Sequence, residues 1–176
     1  MRIAFTHAAL NDLPICAVDI QNAYLQAPAS EKHRIICRPE FGLENVGKLT
    51  IIVRALHGGK SAGADCWRHV RTAMSELGFE SCKADPDVWF RPSNKADGTR
   101  YYQHALLHTD NILATIEEPE RFLRDELGNC FTLKEKSIVP PTQCLGNKVS
   151  LVTLENGCKC WSFSSSQCVQ NAVKIV

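Results

Sequence analysis

Short apolar runs alternate with polar, turn-forming stretches along most of this chain, and only a few segments carry a helical period. Ile15-Cys16-Ala17-Val18 is unbroken and apolar and stops on Asp19, which predicts a buried strand with a carboxylate at its tip. The chain then continues into a turn or short helix before Pro28. Paired β-branched residues (Ile35-Ile36, then Ile51-Ile52-Val53) predict strands over His33 to Arg38 and Leu49 to Leu56. Gly58 to Gly63 reads as a flexible link into the clearest helix. There Trp67, Val70, Met74 and Leu77 recur at three and four residues, Gly78 is the stop, and Trp67, Met74 and Leu77 are expected in the core.

Val88-Trp89-Phe90 predicts another strand, followed by a loop with an Asp97-Gly98 turn signal. Tyr101 to His108 and Ile112 to Thr115 flank Thr109-Asp110-Asn111, a hairpin whose tip carries a second carboxylate. Pro119 suits a first helical turn, and Phe122, Leu123 and Leu127 form a helical face that Gly128 is expected to end. Pro140-Pro141 links this helix to a last hairpin, in which Cys144 to Leu154 and Lys159 to Phe163 flank Asn156-Gly157. Ser165 can cap a final helix whose face is Val169, Ala172 or Val173, and Val176. The order predicts an α+β fold with a largely antiparallel sheet and packed helices.

Composition narrows the chemistry. With 20 Lys+Arg against 19 Asp+Glu over 176 residues, the net charge of +1 excludes a uniformly basic nucleic-acid wrapper but not a local basic groove. No apolar run reaches the roughly 18 residues of a membrane span, and the first residues lack the apolar segment of a secretory signal. The nine cysteines are scattered, with Cys158 and Cys160 the closest pair and no C-x-x-C, so they read as reduced intracellular thiols rather than zinc ligands. The histidines are dispersed too, and no Ser-His-Asp or Cys-His spacing suggests a hydrolase. What remains is Asp19 and Asp110, each at the end of an apolar strand. Two neighbouring strands could present them together, and paired carboxylates suit Mg²⁺ shared with substrate phosphates. Each is also an ordinary turn residue, and the residues alone leave both readings open.

Val18-Asp19-Ile20-Gln21-Asn22-Ala23-Tyr24-Leu25 resembles motif A of copia-type retrotransposon reverse transcriptases. Arg54-Ala55-Leu56-His57-Gly58-Gly59-Lys60-Ser61-Ala62 is similar to that family's ALYGLKQAP box. Trp67, Glu76-Leu77-Gly78-Phe79 and Ala84-Asp85-Pro86-Asp87-Val88-Trp89 resemble its W…LGF…DP stretch. Leu106 to Leu113 is similar to the YVDDIL hairpin, and Gln143-Cys144-Leu145-Gly146 to the FLG box. Five motifs in order cover nearly the whole chain.

The resemblance implies one partial reverse-transcriptase domain over 1–176, palm-like, with the fingers largely missing. It implies RNA-directed DNA polymerase activity by two-metal nucleotidyl transfer, with two Mg²⁺ ions, or Mn²⁺, held by Asp19 and Asp110 and with Asn111 beside them. Tyr24 falls where the family's aromatic excludes a 2′-hydroxyl. Gly58, Gly59 and Lys60 match the box that contacts nucleotide and template, Lys134 matches a palm lysine that protonates pyrophosphate, and Leu145 and Gly146 match the primer grip. Residues 143–176 are then a primer-grip-like hairpin and the helix that follows. Implied partners are an RNA or DNA template-primer, deoxynucleotides and the remaining segments of a Pol polyprotein, without a membrane. The implied location is intracellular, in cytoplasm, virus-like particle or nucleus.

The family pattern breaks at three places: Asn111 replaces a second Asp, His108 a Tyr, and His57 a Tyr. The match also begins only some eighteen residues before Asp19. Together these predict a decayed element whose chain has little or no polymerase activity and which Asn111→Asp alone does not fully restore. A catalytically inactive nucleic-acid-binding module or structural relic is the alternative.

Overall fold

The structure, a computed structural model, describes residues 2–30, 34–144 and 146–173. Five antiparallel strands form the main sheet, in the order β1-β7-β6-β5-β4. They are β1 (Ile15–Asp19), β4 (Glu80–Ser81), β5 (Val88–Asn94), β6 (Arg100–His108) and β7 (Asn111–Thr115). The strands expected over His33 to Arg38 and Leu49 to Leu56 are shorter, β2 (Arg34–Ile36) and β3 (Leu49–Ile51), and among the described residues they pair with each other; His33 lies outside the described residues. A third sheet of order β10-β9-β8 uses β8 (Gln143–Cys144), β9 (Asn147–Thr153) and β10 (Lys159–Ser164), with Gly157 at φ 80° in the turn between the last two. The α+β class and antiparallel sheets expected from the pattern are present. Among the described residues no helix is long and apolar enough to cross a membrane.

Period-two alternation sends the two sides of the main sheet to different partners. Cys16, Val18, Ile112, Ala114, Ala105, Leu107 and Trp89 pack with α3 (Ala62–Glu76) and with the helix over 119–130. Ile15, Leu106 and Leu113 face the other way, onto α1 (Arg2–Leu10) and the last hairpin. Phe5 of α1 meets the rings of Trp161 and Phe163 edge-on, with centroids 5.2 and 4.8 Å apart.

Several expectations need correction. The pattern predicts no helix over Arg2–Leu10, where the structure has α1. Its buried face is Ala4, Phe5 and Ala8, while Ile3 and Leu10 are 85% and 81% exposed, so the hydrophobic positions do not form one stripe. Trp67 is no core residue. The buried stripe of α3 runs through Ala62, Cys66, Val70, Ala73 and Met74, which leaves the indole 47% exposed. Its N–H donates to Asp87 Oδ1 at 2.9 Å, and Arg71 stacks on the ring. Gly128 does not end its helix either. An α-turn (Pro119–Arg121), a π-helix (Phe122–Leu127) and an α-turn (Gly128–Cys130) run on until Phe131 turns extended, where its ring is buried. In the last helix, Ser166–Val173, Val169 and Val173 are exposed rather than packed, and Val176 lies outside the described residues.

The seat of α1 carries a pH dependence. His7 and His104 meet edge-to-face at 4.3 Å, and the Nδ1 atom of each is buried without a hydrogen-bond partner among the described residues. Burial holds both imidazoles below their ordinary value, with the charge of His7 adding to the effect at His104. Burial, with Arg54, does the same at His69. The unfolded chain therefore takes up these protons first. Stability is fully present above the unfolded value of about 6.5 and falls as pH drops below it toward the folded values. A urea midpoint lower at pH 5.5 than at pH 7.5 is expected, with the difference reduced in a His7→Gln variant. An equal midpoint at both pH values in the parent chain contradicts the assignment.

Candidate functional site

Cys16 and Val18 of β1 point into the α3 side of the core, and alternation along the strand turns Asp19 to the opposite face. Pairing with β7 sets Asp19 directly opposite Asn111, and the Ile20 amide donates to the Asp110 carbonyl at 2.8 Å. Asp19, Asp110 and Asn111 therefore meet at one end of two hydrogen-bonded strands. His108 lies opposite Asn111 on β6, so Asp19, Asn111 and His108 form one row on one face of the sheet. Two residues along the strands, the next row on that face is Ala17, Leu113, Leu106 and Val88.

That face forms the floor of a groove of about 430 Å³. Its rims are Asp85 and Asp87 on one side and Pro141, Gln143, Cys144 and Gly146 on the other. Gly146 holds φ 75° in the turn between β8 and β9, a conformation in which a side chain is strained. Gly146 thus shares the groove with Asn111, whereas Leu145, the other expected primer-grip residue, lies outside the described residues. The rim aspartates are held by local bonds as well. Asp85 Oδ1 accepts the Asp87 amide at 3.2 Å, Asp87 accepts from Trp67, and Arg71 donates to the Pro86 carbonyl at 2.6 Å.

The hairpin tip needs an unusual backbone. Two residues, Thr109 and Asp110, connect His108 to Asn111, and Thr109 takes φ 56°. A positive φ at the first turn position matches the right-handed twist of the strands, but a β-branched residue there is strained by about 1–3 kcal/mol. At the tip Asn111 Nδ2 donates to Asp110 Oδ1 at 3.0 Å. Asp19 has its own partners in the segment after the 119–130 helix. Lys134 Nζ donates to Asp19 Oδ2 at 3.0 Å, and the Asp19 amide donates to Ser137 Oγ at 2.8 Å. The hydrogen bond and charge of Asp19, helped by Asp110, hold the Lys134 ammonium above its ordinary value. Beneath the tip, burial and then the Asp110 carboxylate push the Cys66 thiol up.

Tyr24, Gly59 and Lys60 form a second group, outside the groove lining. The short helix α2 (Ala23–Gln26) follows β1 after Asn22 at φ 48°, and it leaves Tyr24 half-buried against the core. The Tyr24 ring lies 4.5 Å from that of His57, which brings the glycine box to it. Backbone bonds from Ala55 to Ala27 and from Ala29 to Val53 fasten the two segments together. Gly58 holds φ 83°, and a Cβ on Gly59 would meet the Leu56 carbonyl oxygen at 3.1 Å, so both glycines answer to the backbone and not merely to flexibility. Lys60 is exposed beside them. Buried Asp65 anchors the start of α3 to this region. It accepts from the Ser30 amide at 3.1 Å and from Arg68 at 3.0 Å, and these bonds, Ser30 foremost, pull its pKa down to about 2.

Among the described residues no group of three or more His, Cys, Asp or Glu side chains is arranged to hold a metal ion. The ends of β1 and β7, next to the groove that Asn111 lines, carry two carboxylates and the Asn111 carboxamide. That donor set is all oxygen, and one or two carboxylates are what Mg²⁺ uses when substrate phosphates and water complete its shell. The residues therefore fit such an ion only in partnership with a phosphate-bearing ligand. Ser137 is the partner that sequence reasoning missed. A lone serine 118 residues from Asp19 carries no local signal of the contact. Compared with protein-family models and with curated proteins, the sequence matches none.

Proposed function

We propose that this chain is the palm region of a copia-type reverse transcriptase, an RNA-directed DNA polymerase site weakened by Asn111. One observation carries the reading: β1 and the β6–β7 hairpin bring Asp19 and Asp110 to the same end of two hydrogen-bonded strands, next to Asn111, which lines the groove. Two carboxylates there would hold the cation that accompanies a nucleotide triphosphate. When bound, such an ion (Mg²⁺ or Mn²⁺) would supply acidification of a primer 3′-hydroxyl and screening of the phosphates. The chain's own residues supply position. The apolar row Ala17, Leu113, Leu106 and Val88 gives a primer end a dry floor, and Gly146 admits its backbone closely. Tyr24, pinned by His57, would face the sugar of an incoming deoxynucleotide.

Asn111 contributes an amide where a carboxylate would add charge, and its N–H₂ engages Asp110. Primer extension on an RNA template with Mg²⁺ or Mn²⁺ is therefore expected to be faint. Asn111→Asp should raise it by about tenfold, the rate equivalent of roughly 1.4 kcal/mol, without reaching a fast polymerase rate. Robust synthesis by the parent chain refutes the weakening. No cation-dependent extension in either form refutes the polymerase reading.

A non-catalytic duplex-binding module is favoured by the same two contacts that occupy the carboxylates, Lys134 on Asp19 and Asn111 on Asp110. Salt-dependent duplex binding that survives Asp19→Ala, with no extension, selects it.

A further inference from the structure

Lys134 is not a casual surface neighbour of Asp19. Its amide donates to the Asp19 carbonyl at 3.0 Å while its ammonium reaches Asp19 Oδ2, also at 3.0 Å. Ser137 Oγ accepts the Asp19 amide and donates to the Lys134 carbonyl at 2.6 Å, closing a ring of four contacts, three of them between the two segments. On either side, Ile20 bridges to Leu133 and Ala17 to Val139, so the lysine backbone is laced along the edge of β1. An exposed lysine in an ion pair normally loses much of the gain to side-chain entropy. Here the backbone is already placed, and less freedom remains to be lost.

The charges at these strand ends nearly balance. Asp19 and Asp110 bring two negative charges, Lys134 returns one, and the Asn111 amide adds none. A divalent ion shared between the two carboxylates needs a lone pair on Asp19 and would sit close to the ammonium, which repels it. We propose that Lys134 is the resident counter-ion of Asp19 and competes with the divalent cation, so that it sets the cation affinity of the site. This inference rests on the metal-site reading of Asp19 and Asp110 given above. Loading the site then brings the ion up against the ammonium on Asp19 Oδ2, and the half-exposed lysine side chain has solvent to move into. The role differs from proton donation to pyrophosphate: a proton donor affects turnover and leaves cation binding alone.

Mn²⁺ binding to the full chain, followed by loss of the free-ion paramagnetic resonance signal, separates the possibilities without any turnover. Lys134→Met is expected to bind Mn²⁺ about fivefold tighter than the parent, the equivalent of an ion pair near the upper end for exposed groups. Lys134→Gln should act the same way, and Lys134→Arg, which keeps the charge, should stay within about twofold of the parent. Asp19→Asn should abolish binding in both the parent and the Lys134→Met background. Unchanged or weaker binding in Lys134→Met and Lys134→Gln, with binding still dependent on Asp19, overturns the counter-ion role and leaves the metal site standing. Absence of Asp19-dependent binding in every variant overturns the metal site and the counter-ion role together.

Discussion

Asp19→Asn is expected to eliminate the response of this protein to divalent cations while leaving its fold intact. The substitution keeps the shape of the side chain and removes one of the two negative charges at the ends of β1 and the β6–β7 hairpin. Outer-shell partners of bound metals are worth about ten- to a hundredfold in affinity, so loss of a direct carboxylate should cost at least about a hundredfold. Thermal unfolding with and without millimolar Mn²⁺ reads the effect. The cation should raise the midpoint of the parent and leave the variant unmoved. Folding should be little affected, because the backbone bonds of Asp19 to Ser137 and Lys134 do not involve its carboxylate. The one bond it loses is to a half-exposed lysine. A variant that keeps the full cation shift shows that Asp19 is not a ligand.

Trp89→Ala should have the largest effect on stability. Trp89 is 2% exposed, pairs with Ala105 and Ser81 across the sheet, and packs in the core between the strands and α3. Truncating a buried aromatic to Ala costs about 3–5 kcal/mol, because the cavity left behind collapses only in part. In a chain of this size that lowers the thermal midpoint by roughly 6–20 °C. The groove should loosen as well. Arg71 lies over both Trp67 and Trp89, at 4.2 and 4.9 Å, and it holds the Pro86 carbonyl between Asp85 and Asp87. A cost below about 1 kcal/mol, measured by urea unfolding, would falsify this account of the core.

How far the fold could be read from the chain varied with the locality of the signal. The strand ending at Asp19, the Asp97-Gly98 and Asn156-Gly157 turns and the helix stop at Gly78 all rest on adjacent residues, and the structure places each where the pattern did. The face of α3 did not follow, because Trp67 is as apolar as a core residue but has a polar handle and a neighbouring cation. Periodicity weighs hydrophobicity and cannot see either partner. For the same reason α1 stayed hidden: its burial depends on Trp161 and Phe163, which arrive from the far end of the chain.

The candidate site divides in the same way. Alone, the sequence determined that two carboxylates end two apolar strands, that a carboxamide follows the second, and that glycines stand where backbone must bend or approach closely. Those facts are local, fixed by residue type and by the steric limits of φ. Only the tertiary structure decided that Asp19 stands opposite Asn111, that Gly146 closes the same groove, and that Lys134 and Ser137 hold Asp19 from more than a hundred residues away. Strand register and edge contacts are set by which buried faces fit together, and no single segment carries that information.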